Sequence, residues 1–103
     1  MVFIAKNQAQ LFSELIERIR LGDQKAVTEF YKLLLPHCRK IIAKKVYSIS
    51  ADELNTLAHE ITSDIILKKL HRFHIDVSFA PFIYRIVSNL IVDNYRKNRR
   101  SIL

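Results

Sequence analysis

The chain has 103 residues, half of them hydrophobic, with 17 Lys/Arg against 10 Asp/Glu and a net charge of +7. That apolar content supports one modest core and excludes a disordered chain, and the cationic surplus points to nucleic acid or an anionic membrane surface as partner. A single cysteine, Cys38, excludes a disulfide framework and suits a reducing cytoplasm, and no apolar run approaches the roughly 18 residues of a membrane span or forms a signal peptide.

One glycine and two prolines leave little punctuation for hairpins, so the expected fold is all-α, a compact bundle of about four to five helices in a single domain over 1–103. Leu11, Phe12, Leu15, Ile16 and Ile19 recur at helical spacing, with Glu14, Glu17, Arg18 and Arg20 filling the other face. Leu21-Gly22-Asp23 ends that helix and starts another, because glycine suits a helix end and aspartate an N-cap. The second helix carries Ala26, Val27, Phe30, Tyr31 and Leu34 on one stripe. Pro36 is expected to break or restart it, and a third helix then holds Ile41, Ile42 and Val46 inward and Arg39, Lys40, Lys44 and Lys45 toward solvent. Ser50-Ala51-Asp52-Glu53 has capping-box spacing and predicts a helix whose buried face is Leu54, Leu57, Ala58, Ile61, Ile65 and Leu70. Periodicity lapses over 71–78, a predicted loop with Ser78 as N-cap. Phe82, Ile83, Ile86, Val87 and Leu90 then define a long last helix, with Pro81 in its first turn, where a missing N–H costs little.

Three features could carry function. On the last helix Arg85, Asn89, Asp93 and Arg96 form one stripe that ends in a basic tail, and residues 85–100 hold five Lys/Arg against one acid. Such cations meet phosphates, and Asn and Arg also donate to base edges; a solvated helix with a frayed basic end is the plain alternative. Before that helix, Phe73, His74, Phe79, Phe82 and Tyr84 put rings near positive charge, as single-strand sites require. Phe82 is expected in the core, whereas Phe73 and Phe79 stay open between core and base stacking. The helix before the loop has the opposite sign: Glu60 and Asp64 share a face, with Lys68 one turn on. That patch faces a protein partner or forms an ordinary surface pair.

No feature argues for catalysis, and no cofactor or metal is expected. His59-Glu60 lacks a second histidine at Ser63, and a lone thiol with His37, His71 and His74 gives no paired zinc spacing.

Taken in order, these motifs resemble region two of bacterial sigma factors of the extracytoplasmic-function type. Gly22-Asp23-Gln24-Lys25-Ala26, Phe30-Tyr31 and Pro36 resemble its opening. His59-Glu60-Ile61-Thr62-Ser63-Asp64-Ile65-Ile66-Leu67-Lys68 is similar to its acidic helix, and Phe79 through Lys97 follows its FRAWLYRI and ARNLALDHLRR segments without a gap. The resemblance covers 21–100. It implies that Glu60, Ser63, Asp64 and Lys68 meet the clamp helices of the largest RNA polymerase subunit. It implies that the loop over 73–78, through Phe73, His74, Asp76 and Ser78, captures a base flipped from the minus-ten promoter element. Arg85, Asn89, Asp93, Arg96, Lys97, Arg99 and Arg100 would read and help open that element.

Phe82 and Leu70 stand where the family has tryptophan, and the connection from Leu70 to Phe73 is shorter than its norm. The family's second DNA-reading domain does not follow within these residues. The expectation is therefore an excised domain, or a standalone protein working with a second sigma subunit, with an anti-sigma factor as a further possible partner. A sigma-like interaction module that does not read DNA is the other reading, and a membrane-surface bundle is disfavoured by the lack of an exposed Trp- or Leu-rich face.

Overall fold

The computed structural model describes residues 6–70 and 79–102, with side chains over 8–70 and 79–97. Among them are four α-helices, α1 (Lys6–Arg20), α2 (Gln24–Lys45), α3 (Ala51–Asp64) and α4 (Phe79–Ile102), and α3 continues into a π-helical turn, Ile65–Lys69. The all-α bundle expected from the sequence is present. α2 lies at its centre and packs on α1, α3 and α4. No helix among the described residues is long and apolar enough to cross a membrane. The predicted loop over 71–78, with Phe73, His74, Asp76 and Ser78, lies outside the described residues, as do the side chains of Arg99 and Arg100.

The turn between α1 and α2 is built from one glycine and one aspartate. Gly22 takes φ +89°, in the left-handed region that side chains with a Cβ rarely enter. Asp23 N–H then donates to Arg18 C=O at 3.0 Å and Gly22 N–H to Ile19 C=O at 3.0 Å, closing α1 with a Schellman pattern. Asp23 divides its two carboxylate oxygens between the helices. Oδ1 accepts from Lys25 N–H and Ala26 N–H at 3.0 and 3.4 Å, capping α2. Oδ2 accepts from Arg18 Nε at 2.9 Å. The Arg18 hydrogen bond, helped by the capping N–H groups, holds the Asp23 carboxyl below the usual aspartate range.

α2 does not break at Pro36, contrary to the expected restart. Phe30, Leu34, His37, Cys38, Ile41 and Ile42 form one uninterrupted buried stripe through that position. Pro36 itself is exposed, so water can satisfy the carbonyl that its ring leaves without a donor. Packing outweighs propensity here. Leu11 is a second departure: Phe12, Leu15 and Ile16 are buried, but Leu11 is 39% exposed at the border of the stripe.

Ser50 caps α3 as its spacing predicts, its Oγ accepting from Glu53 N–H at 3.1 Å. Ile65 and Leu70 are both buried, although five residues of regular α-helix would turn them roughly 140° apart. The π-helical turn resolves this: Leu70 N–H reaches back to Ile65 C=O, and the wider turn returns Leu70 to the core face.

The N-terminus of α4 is fastened by rings. Phe79 stacks on Phe12 of α1 with centroids 4.5 Å apart, and Phe30 of α2 meets both edge-on, at 5.3 Å from Phe12 and 6.2 Å from Phe79. Phe82, Ile83, Val87 and Ile91 continue the buried face of α4. Beneath the rings His37 is buried with no partner for Nδ1, and burial, then the charge of Lys40, lowers its pKa. Cys38 is part of the core, and burial pushes its thiol up to about 11, partly offset by Thr62 beside it.

Two outcomes follow. Phe79→Ala should cost about 3–5 kcal/mol in urea unfolding, and a loss under about 1 kcal/mol would deny that the ring cluster anchors α4. Because the folded Asp23 carboxyl has a lowered pKa, its contribution is complete above the unfolded aspartate pKa, about 3.9, and is lost as pH falls through the lower folded value. Asp23→Asn keeps the cap but not the charge, so its melting-temperature deficit should close in that acid window; a deficit constant with pH would contradict this.

Candidate nucleic-acid and protein interface

The site is made by two helices of opposite character lying side by side. α4 is held at its start by Phe79, and its polar side faces outward for several turns. Arg85, Asn89 and Arg96 are all exposed on that side, at the spacing that places them in one row. Asp93 is exposed too but belongs to an edge. It lines a groove with Lys69, Arg85 and Asn89, and a second groove with Glu60, Asp64 and Lys97.

Those grooves bring together residues that the sequence separates into two surfaces. Glu60, Ser63, Asp64 and Lys68 of α3 and the π-helical turn face Asp93, Asn94 and Lys97 of α4 across one open groove. Asn94 Nδ2 donates to Glu60 Oε2 at 3.3 Å, tying the two helices through one residue from each. Asp64 pairs with Lys68 at 3.6 Å in the acid-first orientation, with both side chains largely in solvent. Such a pair is worth only a few tenths of a kcal/mol, about 0.3–0.5, so it leaves both groups available to a partner. The acidic residues and the basic stripe therefore meet along a shared border.

The aromatic candidates divide. Phe79 is 3% exposed and stacked on Phe12, and Phe82 is buried as expected, so neither presents a face to a base. Tyr84 is 37% exposed, with Lys45 Nζ 4.8 Å above its ring.

Two pairings on this side have no obvious mark in the sequence. Tyr31 of α2 stacks on His59 of α3 with ring centroids 5.7 Å apart, and its hydroxyl hydrogen-bonds His59 Nδ1. Lys45 meets Tyr84 across α2 and α4. Both join residues more than 25 positions apart, and helical periodicity reports only neighbours within one helix. Below the α3–α4 groove, Asp52, Glu53, Thr56 and Glu60 line an acidic surface closed by Tyr95. Among the described residues no three His, Cys, Asp or Glu side chains gather as they would around a metal ion.

Comparison with protein families matches residues 27–101 to the family described as Sigma-70 region 2. No curated protein and no solved structure matches the chain. The matched span takes in α2 from Val27 onward, α3, the π-helical turn and nearly all of α4.

Proposed function

The chain belongs to the sigma-70 region 2 family, and on that premise we propose that it is the promoter-opening domain of an extracytoplasmic-function-type initiation factor. Domains of this family bind RNA polymerase and recognise the minus-ten promoter element. In this reading Glu60, Ser63, Asp64 and Lys68 dock on the clamp helices of the polymerase's largest subunit. Arg85, Asn89, Asp93, Arg96 and Lys97 take the minus-ten strand, helped by Arg99, Arg100 and the segment 73–78.

One observation carries the reading: the outward row of Arg85, Asn89 and Arg96 on a helix whose other side is locked into the core. Cations in a fixed row neutralise phosphates and release counterions, which supplies affinity without sequence information. Asn and Arg side chains in the same row can add base-edge hydrogen bonds. No bond is made or broken by the protein. Opening costs a few kcal/mol per unstacked base, and capture of that base offsets it. Acid on α3 is poorly placed for DNA and well placed for a basic helix of a protein partner, which separates the two partners by charge.

The burial of Phe79 and Phe82 favours a second reading, a polymerase-binding module that does not itself read DNA, because it removes two of the rings available for stacking. An anti-sigma factor or a second sigma subunit would then complete the assembly.

The test uses the full chain as bait for RNA polymerase core and, separately, for a minus-ten-like single strand. Glu60→Lys with Asp64→Lys should abolish polymerase capture without weakening strand binding, since the added positive charge favours a polyanion. Arg96→Ala with Lys97→Ala should weaken strand binding and lower its dependence on log salt by about 1.4, at about 0.7 per lost phosphate contact. Polymerase capture that survives the α3 reversal would refute the clamp assignment. Strand binding untouched by the α4 pair would leave the second reading.

A further inference from the structure

Beyond the α4 row, the last turn of α2 carries an exposed cationic and aromatic patch that the reading above does not use. Lys44 and Lys45 are exposed there, and among the described residues neither forms an ion pair. Tyr47, just past the helix end, is 96% exposed. The backbone holds it outward: Val46 leaves the helix in extended conformation, and Ser48 takes φ +58°. Lys45 Nζ lies 4.8 Å over the Tyr84 ring, so the patch reaches across to α4. Tyr84 is followed by Arg85, one step further round the helix and the first member of the outward row. Lys44, Lys45 and Tyr47 thus lie within four residues at the end of α2, and Lys45 joins them to Tyr84, the chain neighbour of Arg85.

We propose that Lys44, Lys45, Tyr47 and Tyr84 form a sequence-independent contact for single-stranded nucleic acid, continuing onto α2 the strand path that begins on α4. The proposal rests on the reading of α4 as a strand-binding face and extends it to a second helix. Lysines supply point charges for phosphates and carry no base information. Tyrosine rings offer a π-face to any base, and a ring beside a cation is the combination that unspecific single-strand sites use. An acidic protein segment would satisfy the lysines but leave Tyr47 unused. A bilayer would call for the broader apolar face that this patch lacks.

The experiment measures binding of the full chain to a labelled thymidine oligonucleotide, over a salt series, beside a minus-ten-like strand and its scrambled version. Lys44→Ala with Lys45→Ala should reduce the slope of log affinity against log salt by about 1.4 on every strand. Tyr47→Ala should weaken binding at least about fivefold with the slope unchanged, since stacking is lost and no phosphate contact is. Lys32→Ala with Arg39→Ala removes equal charge from the outer face of α2, where both are exposed, and should leave the slope as it is.

Equal slope losses from the two cation pairs would overturn the proposal, because general charge would then explain the binding. No binding of the native chain to thymidine would overturn it as well. The promoter reading fails on a different result: no preference for the minus-ten-like strand over the scrambled one, and no capture of polymerase. The patch variants leave both of those intact.

Discussion

The ring of Phe79, stacked 4.5 Å from Phe12 and edged by Phe30, is the contact on which the useful geometry depends. α4 follows residues 71–78 and could meet the bundle at many angles. Driving its first residue into an aromatic cluster shared by α1 and α2 fixes where it begins, and Phe82, Ile83, Val87 and Ile91 fix its rotation about its own axis. Once both are set, Arg85, Asn89 and Arg96 have no choice but to face out. A core contact thus determines the direction in which the polar row of α4 faces.

A second constraint is the separation of charge between neighbouring helices. α3 brings Glu60 and Asp64 to the groove, and α4 brings Lys97 and Asp93, with the Asn94–Glu60 hydrogen bond between them. Both signs thus lie side by side in one groove, Glu60, Asp64 and Asp93 with Lys68 and Lys97. The π-helical turn matters here as well. It returns Leu70 to the core while Leu67 and Lys68 stay exposed.

Much of this was legible in the residues, and the reasons are local. Asp23 and Ser50 cap their helices because short polar side chains reach orphan N–H groups, and Pro81 sits in the first turn of α4, where its missing donor is harmless. The periodic stripes identified Phe12, Phe30, Ile61 and Val87 as core. Pro36 was misleading, because a proline is read as a breaker from local cost alone, while the buried stripe on both sides of it belongs to tertiary packing. Leu70 is apolar and buried as its composition suggests, but the π-helical turn that makes it so does not follow from a period of 3.6. Tyr31–His59 and Lys45–Tyr84 were invisible because nothing in a single sequence pairs residues across helices. Phe79 is compatible with core or base stacking by sequence alone, because its partner Phe12 lies on another helix.

The most direct test of the account is permanganate reactivity of thymines in a promoter duplex incubated with RNA polymerase core and this chain. If α4 is an outward row that holds an opened strand on the polymerase, thymines in the minus-ten segment should become reactive only when both proteins are present. They should lose that reactivity with Arg85→Ala or Arg96→Ala, both of which lie outside the core. Unchanged thymine reactivity with both proteins bound to the duplex would contradict it.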